Sequence, residues 1–80
     1  MRLDKYLKVV RIIKRRTVAN EACDAGKVSV NGKLARASHS VKEGDIIEID
    51  FALKPVKLEV LTVAEHALKE DAKTMYRIID

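Results

Sequence analysis

The spacing of hydrophobic residues changes once along the chain, at Gly26. Before this glycine, apolar side chains recur every three or four residues, which is the period of a helix that buries one face. After it, apolar and polar side chains alternate, which is the period of a half-buried strand. The sequence therefore predicts two helices followed by three to five short strands, an α+β arrangement. With 80 residues and no linker-like stretch, we expect a single domain over 1–80, with its core in 1–63 and a short helix or strand in 64–80.

Two helices are predicted before Gly26. The first covers residues 2–13, in which the apolar positions of one side are Leu3, Tyr6, Leu7, Val10 and Ile13. We expect Tyr6 to belong to the core rather than to stack on a base, because it lies within this apolar stripe. The second helix runs from Thr17 to about residue 25, because threonine is a favoured N-cap residue and glycine is favoured just beyond a helix C-terminus.

Short strands are predicted after Gly26. Val28-Ser29-Val30 and residues 33–36 flank Asn31-Gly32, the dipeptide most typical of a two-residue hairpin turn. The remaining elements are predicted as a turn at 41–45, strands at 46–51 and 56–63, a short exposed helix at 65–75, and a last strand or core-packed segment at 75–79.

Positive charge is concentrated in the first half of the chain. Residues 1–36 contain ten lysines and arginines against three acidic residues, a balance of +7, whereas residues 37–80 have a balance of −3. The overall net charge is +4. Such asymmetry favours a polyanionic partner for one face of the domain. The alternative is that these residues are ordinary solubilising cations.

The run Lys14-Arg15-Arg16-Thr17 is the candidate anchor for a polyanion. Its cations lead into the predicted start of the second helix, where unbonded N–H groups and the helix dipole favour an anion. Arginine also donates hydrogen bonds to phosphate in pairs. Aromatic residues make up 4% of the chain, which argues against a stacking platform for single strands. The sequence thus predicts recognition of structured RNA through its backbone and shape.

Asp4 is the single acidic residue of the first predicted helix. It could pair with Lys8 one turn later, or it could favour the helix N-terminus electrostatically. It could equally orient Arg2 or Arg16 for a phosphate. The sequence leaves these roles open.

Catalysis, metal binding and a membrane location have little support in the sequence. Cys23 stands alone, and we expect it to be a packed small side chain. His39 and His66 are distant from any nucleophile and, with one cysteine, are too few for a metal site. Because no glycine-rich phosphate loop occurs and charges interrupt the apolar runs, we expect a cytoplasmic, non-enzymatic protein without a cofactor.

Four segments, taken in order, are similar to the S4-type RNA-binding domain, a small α+β module first described in a small-subunit ribosomal protein. They are Arg2-Leu3-Asp4-Lys5-Tyr6-Leu7, Arg15-Arg16-Thr17, AGKVSVNG at 25–32 and VKEGD at 41–45. The resemblance covers about residues 1–63 and implies two N-terminal helices packed on a small, mainly antiparallel sheet. The opening Met-Arg-Leu-Asp-Lys and the run Ile-Lys-Arg-Arg-Thr further resemble the RqcP group of stand-alone S4 proteins. That group acts in bacterial ribosome-associated quality control and is related to the heat-shock S4 proteins.

This resemblance implies a function. RqcP-type proteins bind large ribosomal subunits obstructed by peptidyl-tRNA and contact both the large-subunit rRNA and the tRNA. They act with an RqcH/NEMF-type protein to add a C-terminal alanine tail to the stalled chain. We expect the same of this chain, acting as a monomer.

Two alternatives to this function are a heat-shock S4-type rescue factor for large subunits and the RNA-binding module of an RNA-modification system. The second half of the chain is acidic and does not resemble the basic C-terminal extension of the heat-shock relative, which favours the quality-control function. A chain of 80 residues leaves no expected room for a modification enzyme.

The positions expected to contact RNA lie in both helices and in the hairpin. By resemblance, the family's RNA-contacting positions correspond to Arg2, Asp4, Arg15 and Arg16. The residues expected to support them are Lys5, Lys8, Arg11, Lys14, Thr17, Lys27, Asn31, Lys33 and Arg36.

Overall fold

The computed structural model of the protein describes residues 1–52 and 54–79. Within these residues the helices and strands follow one another as α1 Leu3–Val9, α2 Arg16–Asp24, β1 Val28–Val30, β2 Lys33–Leu34, β3 Ile46–Ile49, β4 Val56–Val60, α3 Lys69–Ala72 and β5 Tyr76–Ile78. The strands form one antiparallel sheet in the order β2-β1-β3-β4-β5. The predicted α+β arrangement is therefore confirmed.

The core is built by the N-terminal helices and one face of the sheet. From α1, the side chains of Leu3, Tyr6 and Leu7 are fully buried. The hydroxyl of Tyr6 donates a 2.9 Å hydrogen bond to the carbonyl oxygen of Met75, so a residue near one end of the chain is tied to a residue near the other. The expectation that Tyr6 belongs to the core is confirmed. The strands contribute Val28, Val30, Ile47, Ile49, Leu58 and Val60.

α1 ends before the end of the predicted range 2–13, because the backbone turns at Arg11. Arg11 has φ 64°, the left-handed conformation that residues with a Cβ rarely adopt. The N–H of Arg11 donates to the carbonyl of Lys8 and that of Ile13 donates to the carbonyl of Leu7, which satisfies two of the last carbonyls of the helix. The turn returns the side chain of Ile13, 6% exposed, to the core.

α2 begins before the predicted N-cap residue. Arg15 is the N-cap, with extended backbone at φ −121° and ψ 133°, and Thr17 lies within the first turn. The prediction that Thr17 caps this helix is therefore wrong. The earlier start makes Arg16 the first helical residue, from which its guanidinium reaches the carboxylate of Asp4.

The two turns predicted from glycine are both formed. Gly26 has φ 75°, and the N–H of Lys27 donates to the carbonyl of Ala22 over 3.0 Å, as in a Schellman motif at a helix C-terminus. Asn31 and Gly32 have φ 53° and 84°, the pair of positive angles that a type I′ hairpin turn requires. They join β1 to β2.

The second half of the chain contains shorter elements than the sequence predicts. β3 ends at Ile49 and β4 at Val60, and the helix predicted at 65–75 is reduced to α3, which buries only Ala72. A polar segment that buries so little apolar surface gains too little from packing to extend a helix. Both alternatives predicted for 75–79 hold, since Met75 is 3% exposed and the following residues pair with β4.

Replacing Arg11 with glycine should raise the free energy of unfolding. Glycine adopts a positive φ without the Cβ clash that costs other residues about 1 kcal/mol. We therefore expect a gain of about 0.5–1 kcal/mol in urea denaturation. Arg11→Ala retains a Cβ and is the matched control, for which no gain is expected. A less stable glycine variant would show that contacts of the Arg11 side chain hold this turn.

Candidate nucleic-acid interface

The carboxylate of Asp4 joins the beginnings of α1 and α2, and its side chain is 3% exposed. Arg2, the N-cap residue of α1, donates hydrogen bonds of 3.2 and 3.3 Å to its two oxygens. The Nη2 atom of Arg16 lies 3.4 Å from Oδ1. The amide of Asn20 and the backbone N–H of Lys5 donate over 3.2 and 2.7 Å. Of the roles left open by the sequence, the structure therefore shows Asp4 orienting both Arg2 and Arg16.

These contacts hold the pKa of Asp4 below its usual range. Burial alone would raise this pKa, because it disfavours the charged form, but the hydrogen bonds from Arg2, Asn20, Arg16 and the backbone of Lys5 outweigh it. Asp4 is therefore ionised at neutral pH. The side chains of Arg2 and Arg16 remain 49% and 47% exposed. Since a guanidinium has five N–H donors, both arginines can bind a second anion while they hold Asp4.

A cleft of about 740 Å³ opens beside this cluster. It brings together five of the predicted RNA-contacting residues from α1, the following loop and α2, and places them opposite a segment near the C-terminus. The lining residues are Lys5, Lys8, Val9, Arg11, Lys14 and Arg16 from the first region and Glu65, His66, Ala67 and Lys69 from the second.

A second cleft, of about 450 Å³, adjoins the first. It is lined by Met1, Arg2, Lys5, Arg16, Ser38, Ser40 and Glu65. Because Lys5, Arg16 and Glu65 line both clefts, the two form one continuous surface. We call these two clefts, with the lining residues just given, the basic groove.

Five other residues predicted to contact RNA lie outside the basic groove. Arg15 and Thr17 are exposed at the N-terminus of α2. Lys27 borders a separate, mainly apolar cleft. Lys33 and Arg36 are exposed in and after β2, and in the part of the chain that the structure describes they line neither cleft of the basic groove. The basic groove is thus formed without the hairpin cations. RNA contact stays a prediction for these five residues, as it does for those that line the groove.

Asn31 supports the fold of the hairpin. Its side-chain amide donates to the carboxylate of Asp45 over 3.1 Å, and its side-chain oxygen accepts the N–H of Ile46 over 2.9 Å. Both ends of the amide therefore tie the hairpin turn to the start of β3. Its expected contact with RNA also stays a prediction.

Sequence reasoning missed the lining residues that come from distant parts of the chain, namely Ser38, Ser40, Glu65, His66, Ala67 and Lys69. The pair Lys5 and Glu65 is separated by 60 positions, so no local pattern indicates it. Asn20 was missed as well, although its spacing of four residues from Arg16 on one helix is a usable signal.

Cys23 and His39 lie outside the basic groove. Cys23 is 4% exposed, and burial raises the pKa of its thiol to about 11, so it stays protonated and packs as a small side chain. The Nε2 atom of His39 lies 3.8 Å from the carboxylate of Asp45. Over residues 1–52 and 54–79, no three His, Cys, Asp or Glu side chains are grouped to hold a metal ion. Over the same residues, none of the helices has the length and hydrophobicity needed to cross a membrane.

Asp4→Asn should lower the free energy of unfolding at neutral pH. Because the pKa of Asp4 is lower in the folded state than its unfolded value of about 3.9, the carboxylate stabilises the fold above about pH 4. That contribution is lost as the pH falls through the folded-state pKa. We expect a loss of about 1–3 kcal/mol at about pH 7, and a smaller further loss in acid than the wild type shows.

Urea denaturation at several pH values measures both effects of Asp4→Asn. Asp24→Asn, at an exposed position of α2, is the matched control and should not cause the loss at neutral pH that is expected of Asp4→Asn. A variant at Asp4 with wild-type stability at neutral pH would contradict the stabilising role of this carboxylate.

Known proteins resemble this chain in sequence. The sequence pattern of the S4 domain matches residues 1–47. The RQC P-site tRNA stabilizing factor of Streptococcus pneumoniae is 54% identical over 79 residues, which cover 99% of this chain and 90% of that protein. The factor of the same name from Halalkalibacterium halodurans is 51% identical over 78 residues, which cover 98% of this chain and 89% of that protein.

A solved structure has the same fold. The trimeric structure of Vibrio cholerae heat shock protein 15 matches with a TM-score of 0.92 and 29% identity, over 99% of this chain and 81% of that one. The S4-type fold predicted by resemblance is therefore confirmed. The chain belongs to the S4-domain family and, within it, to the family of the RQC P-site tRNA stabilizing factors.

Proposed function

We propose that the protein is a non-catalytic RNA-binding factor of bacterial ribosome-associated quality control, which binds large ribosomal subunits obstructed by peptidyl-tRNA. Two relatives that are about half identical to this chain in sequence share the name RQC P-site tRNA stabilizing factor, and this name supports the proposal. The structural observation that carries it is the pair Arg2 and Arg16, held by Asp4 at the edge of the basic groove. The buried carboxylate orients both guanidiniums before any ligand arrives, so binding requires little further ordering.

The basic groove suits the backbone of a folded RNA. Lys5, Lys8 and Arg11 line it along α1 and the turn that follows, so one strand of phosphates can meet several cations in succession. Such contacts position an RNA without reading its sequence. Tyr6 is fully buried and offers no face to a base. Recognition through shape and backbone, as expected for tRNA and rRNA helices, fits this surface.

The finer role follows from the family resemblance. RqcP-type proteins act with an RqcH/NEMF-type protein that recruits alanyl-tRNA, and they support C-terminal alanine tailing of the stalled chain. A small factor contributes to such a cycle by retaining peptidyl-tRNA on the subunit, since added phosphate contacts lower the dissociation rate. We propose retention of the tRNA as the physical contribution of the basic groove.

A heat-shock S4-type rescue factor for large subunits is the second candidate. The structural similarity to Vibrio cholerae heat shock protein 15, with a TM-score of 0.92, favours it. Sequence identity is 29% in that comparison and 54% with the Streptococcus pneumoniae quality-control factor. The greater identity makes quality control the first proposal.

Arg16→Ala should weaken binding to the large ribosomal subunit about tenfold, because it removes one paired contact with phosphate. The fold should remain intact, since the Asp4 carboxylate keeps its hydrogen bonds from Arg2, Asn20 and the backbone N–H of Lys5 when Arg16 is removed. Co-sedimentation with purified subunits measures the affinity, and circular dichroism checks the fold.

Arg77→Ala is the matched control for Arg16→Ala, because Arg77 pairs with Glu59 on the sheet, outside the basic groove. It should co-sediment like the wild type. If about four to six phosphates are contacted, log affinity of the wild type should fall with log salt with a slope of roughly −3 to −5. Undiminished co-sedimentation of the Arg16 variant, or a flat salt titration, would reject this account of binding.

Deleting the gene should abolish alanine tails on chains stalled by a reporter that lacks a stop codon. The expected reason is that peptidyl-tRNA is no longer retained while alanine is added. The wild-type gene should restore the tails and the Arg16→Ala gene should restore few of them. Tails that persist after deletion would reject the quality-control proposal and would favour the heat-shock alternative.

A further inference from the structure

Among the described residues that line the basic groove, Glu65 is the single carboxylate. It lies at the junction of the two clefts, and its carboxylate pairs with the ammonium of Lys5. The hydrogen bond and the charge of Lys5 lower the pKa of Glu65, so it is ionised at neutral pH. A negative charge therefore stands in the middle of a surface for which we propose phosphate binding.

The ion pair between Lys5 and Glu65 contributes little to the stability of the fold. Their side chains are 31% and 65% exposed, and ion pairs this accessible to solvent contribute little to the free energy of folding. The pair does change the potential of the groove, because it neutralises one cation and repels a phosphate that approaches the same place.

We propose that Glu65 is a specificity-determining residue, which competes with RNA phosphate for Lys5 and must be displaced when RNA crosses the junction of the two clefts. This inference rests on the proposed function and deepens it. Glu65 lies outside residues 1–47, the part that matches the S4 pattern. The carboxylate is therefore supplied to the basic surface of the S4 domain by the segment that follows it.

Displacement of Glu65 distinguishes RNAs that fit the groove from other polyanions. A polyanion that reaches only Lys5 and its neighbours replaces the ion pair of Lys5 with Glu65 by an ion pair with phosphate, so it gains little binding free energy. A structured RNA that also reaches Arg2 and Arg16 in the adjoining cleft gains contacts that outweigh the displaced carboxylate. A repulsive element of this kind raises specificity because it weakens wrong complexes more than the right one.

Glu65→Gln removes the competing charge and keeps the size of the side chain. We expect the variant to bind an arbitrary RNA duplex of about 20 base pairs about fivefold more tightly than the wild type at about 100 mM salt. Its salt dependence should steepen by up to about one unit of slope, because Lys5 gains one phosphate. Affinity for the obstructed large subunit should rise less, so that the preference for the subunit over the duplex falls.

Two variants show whether the effect is local. Glu59→Gln removes a carboxylate that pairs with Arg77 on the sheet, and it should leave the duplex affinity unchanged. In a Lys5→Gln background, the gain from Glu65→Gln should disappear, since the competition requires both partners. An equal gain from Glu59→Gln, or an undiminished gain without Lys5, would overturn the proposal by showing a general effect of net charge.

The remaining outcomes separate this inference from the proposed function. Unchanged or weaker duplex binding by Glu65→Gln, with Arg16→Ala still weakening binding to the subunit, would overturn the role of Glu65 alone. Wild-type binding by Arg16→Ala would instead show that the basic groove is not the RNA site, and both proposals would fall.

Discussion

The buried charge of Asp4 is the constraint on which the arrangement of α1 and α2 depends. An ionised side chain that is 3% exposed is tolerated only where hydrogen bonds replace the lost hydration. Arg2 supplies them from the start of α1, and Arg16 and Asn20 supply them from α2. The contacts that stabilise this charge are the same contacts that orient two guanidiniums at the basic groove. Stability and the proposed anion binding therefore depend on one cluster, and we expect a mutation of Asp4 to alter both.

Short sequence motifs predict much of the fold, because the backbone angles of some residues depend mainly on the type of the residue itself. Gly26, Asn31 and Gly32 turn the chain where the sequence predicts, since these residues accept a positive φ at little energetic cost. Arg11 adopts the same conformation without any such signal, and the burial of Ile13 accompanies it. The predicted first helix, residues 2–13, is therefore too long. The helical spacing of hydrophobic residues continues to Ile13, although the turn at Arg11 has already ended the helix.

One wall of the basic groove is predictable from the sequence and the other is not. Lys5, Lys8 and Arg16 are close in sequence, and their charge marks them. The segment 65–69 has mixed charge and no clear period, and its ion pair with α1, between Glu65 and Lys5, joins residues 60 positions apart. The sequence predicts RNA contact by the hairpin cations as well, but β2 is the sheet edge opposite β5, and Lys33 and Arg36 lie apart from the groove.

The two walls of the groove also differ in when they are made. The cations of α1 and α2 are synthesised first, and the carboxylate that pairs with Lys5 follows 60 positions later. From β1 through β3 and β4 to β5, the strands lie in the sheet in their order along the chain. The side chains of α1 share one core with Leu58, Val60 and Met75, so the cationic wall has no support until these later residues are in place. A domain of this size folds as a unit, so the cations of the groove and the carboxylate that pairs with Lys5 come together in one cooperative step.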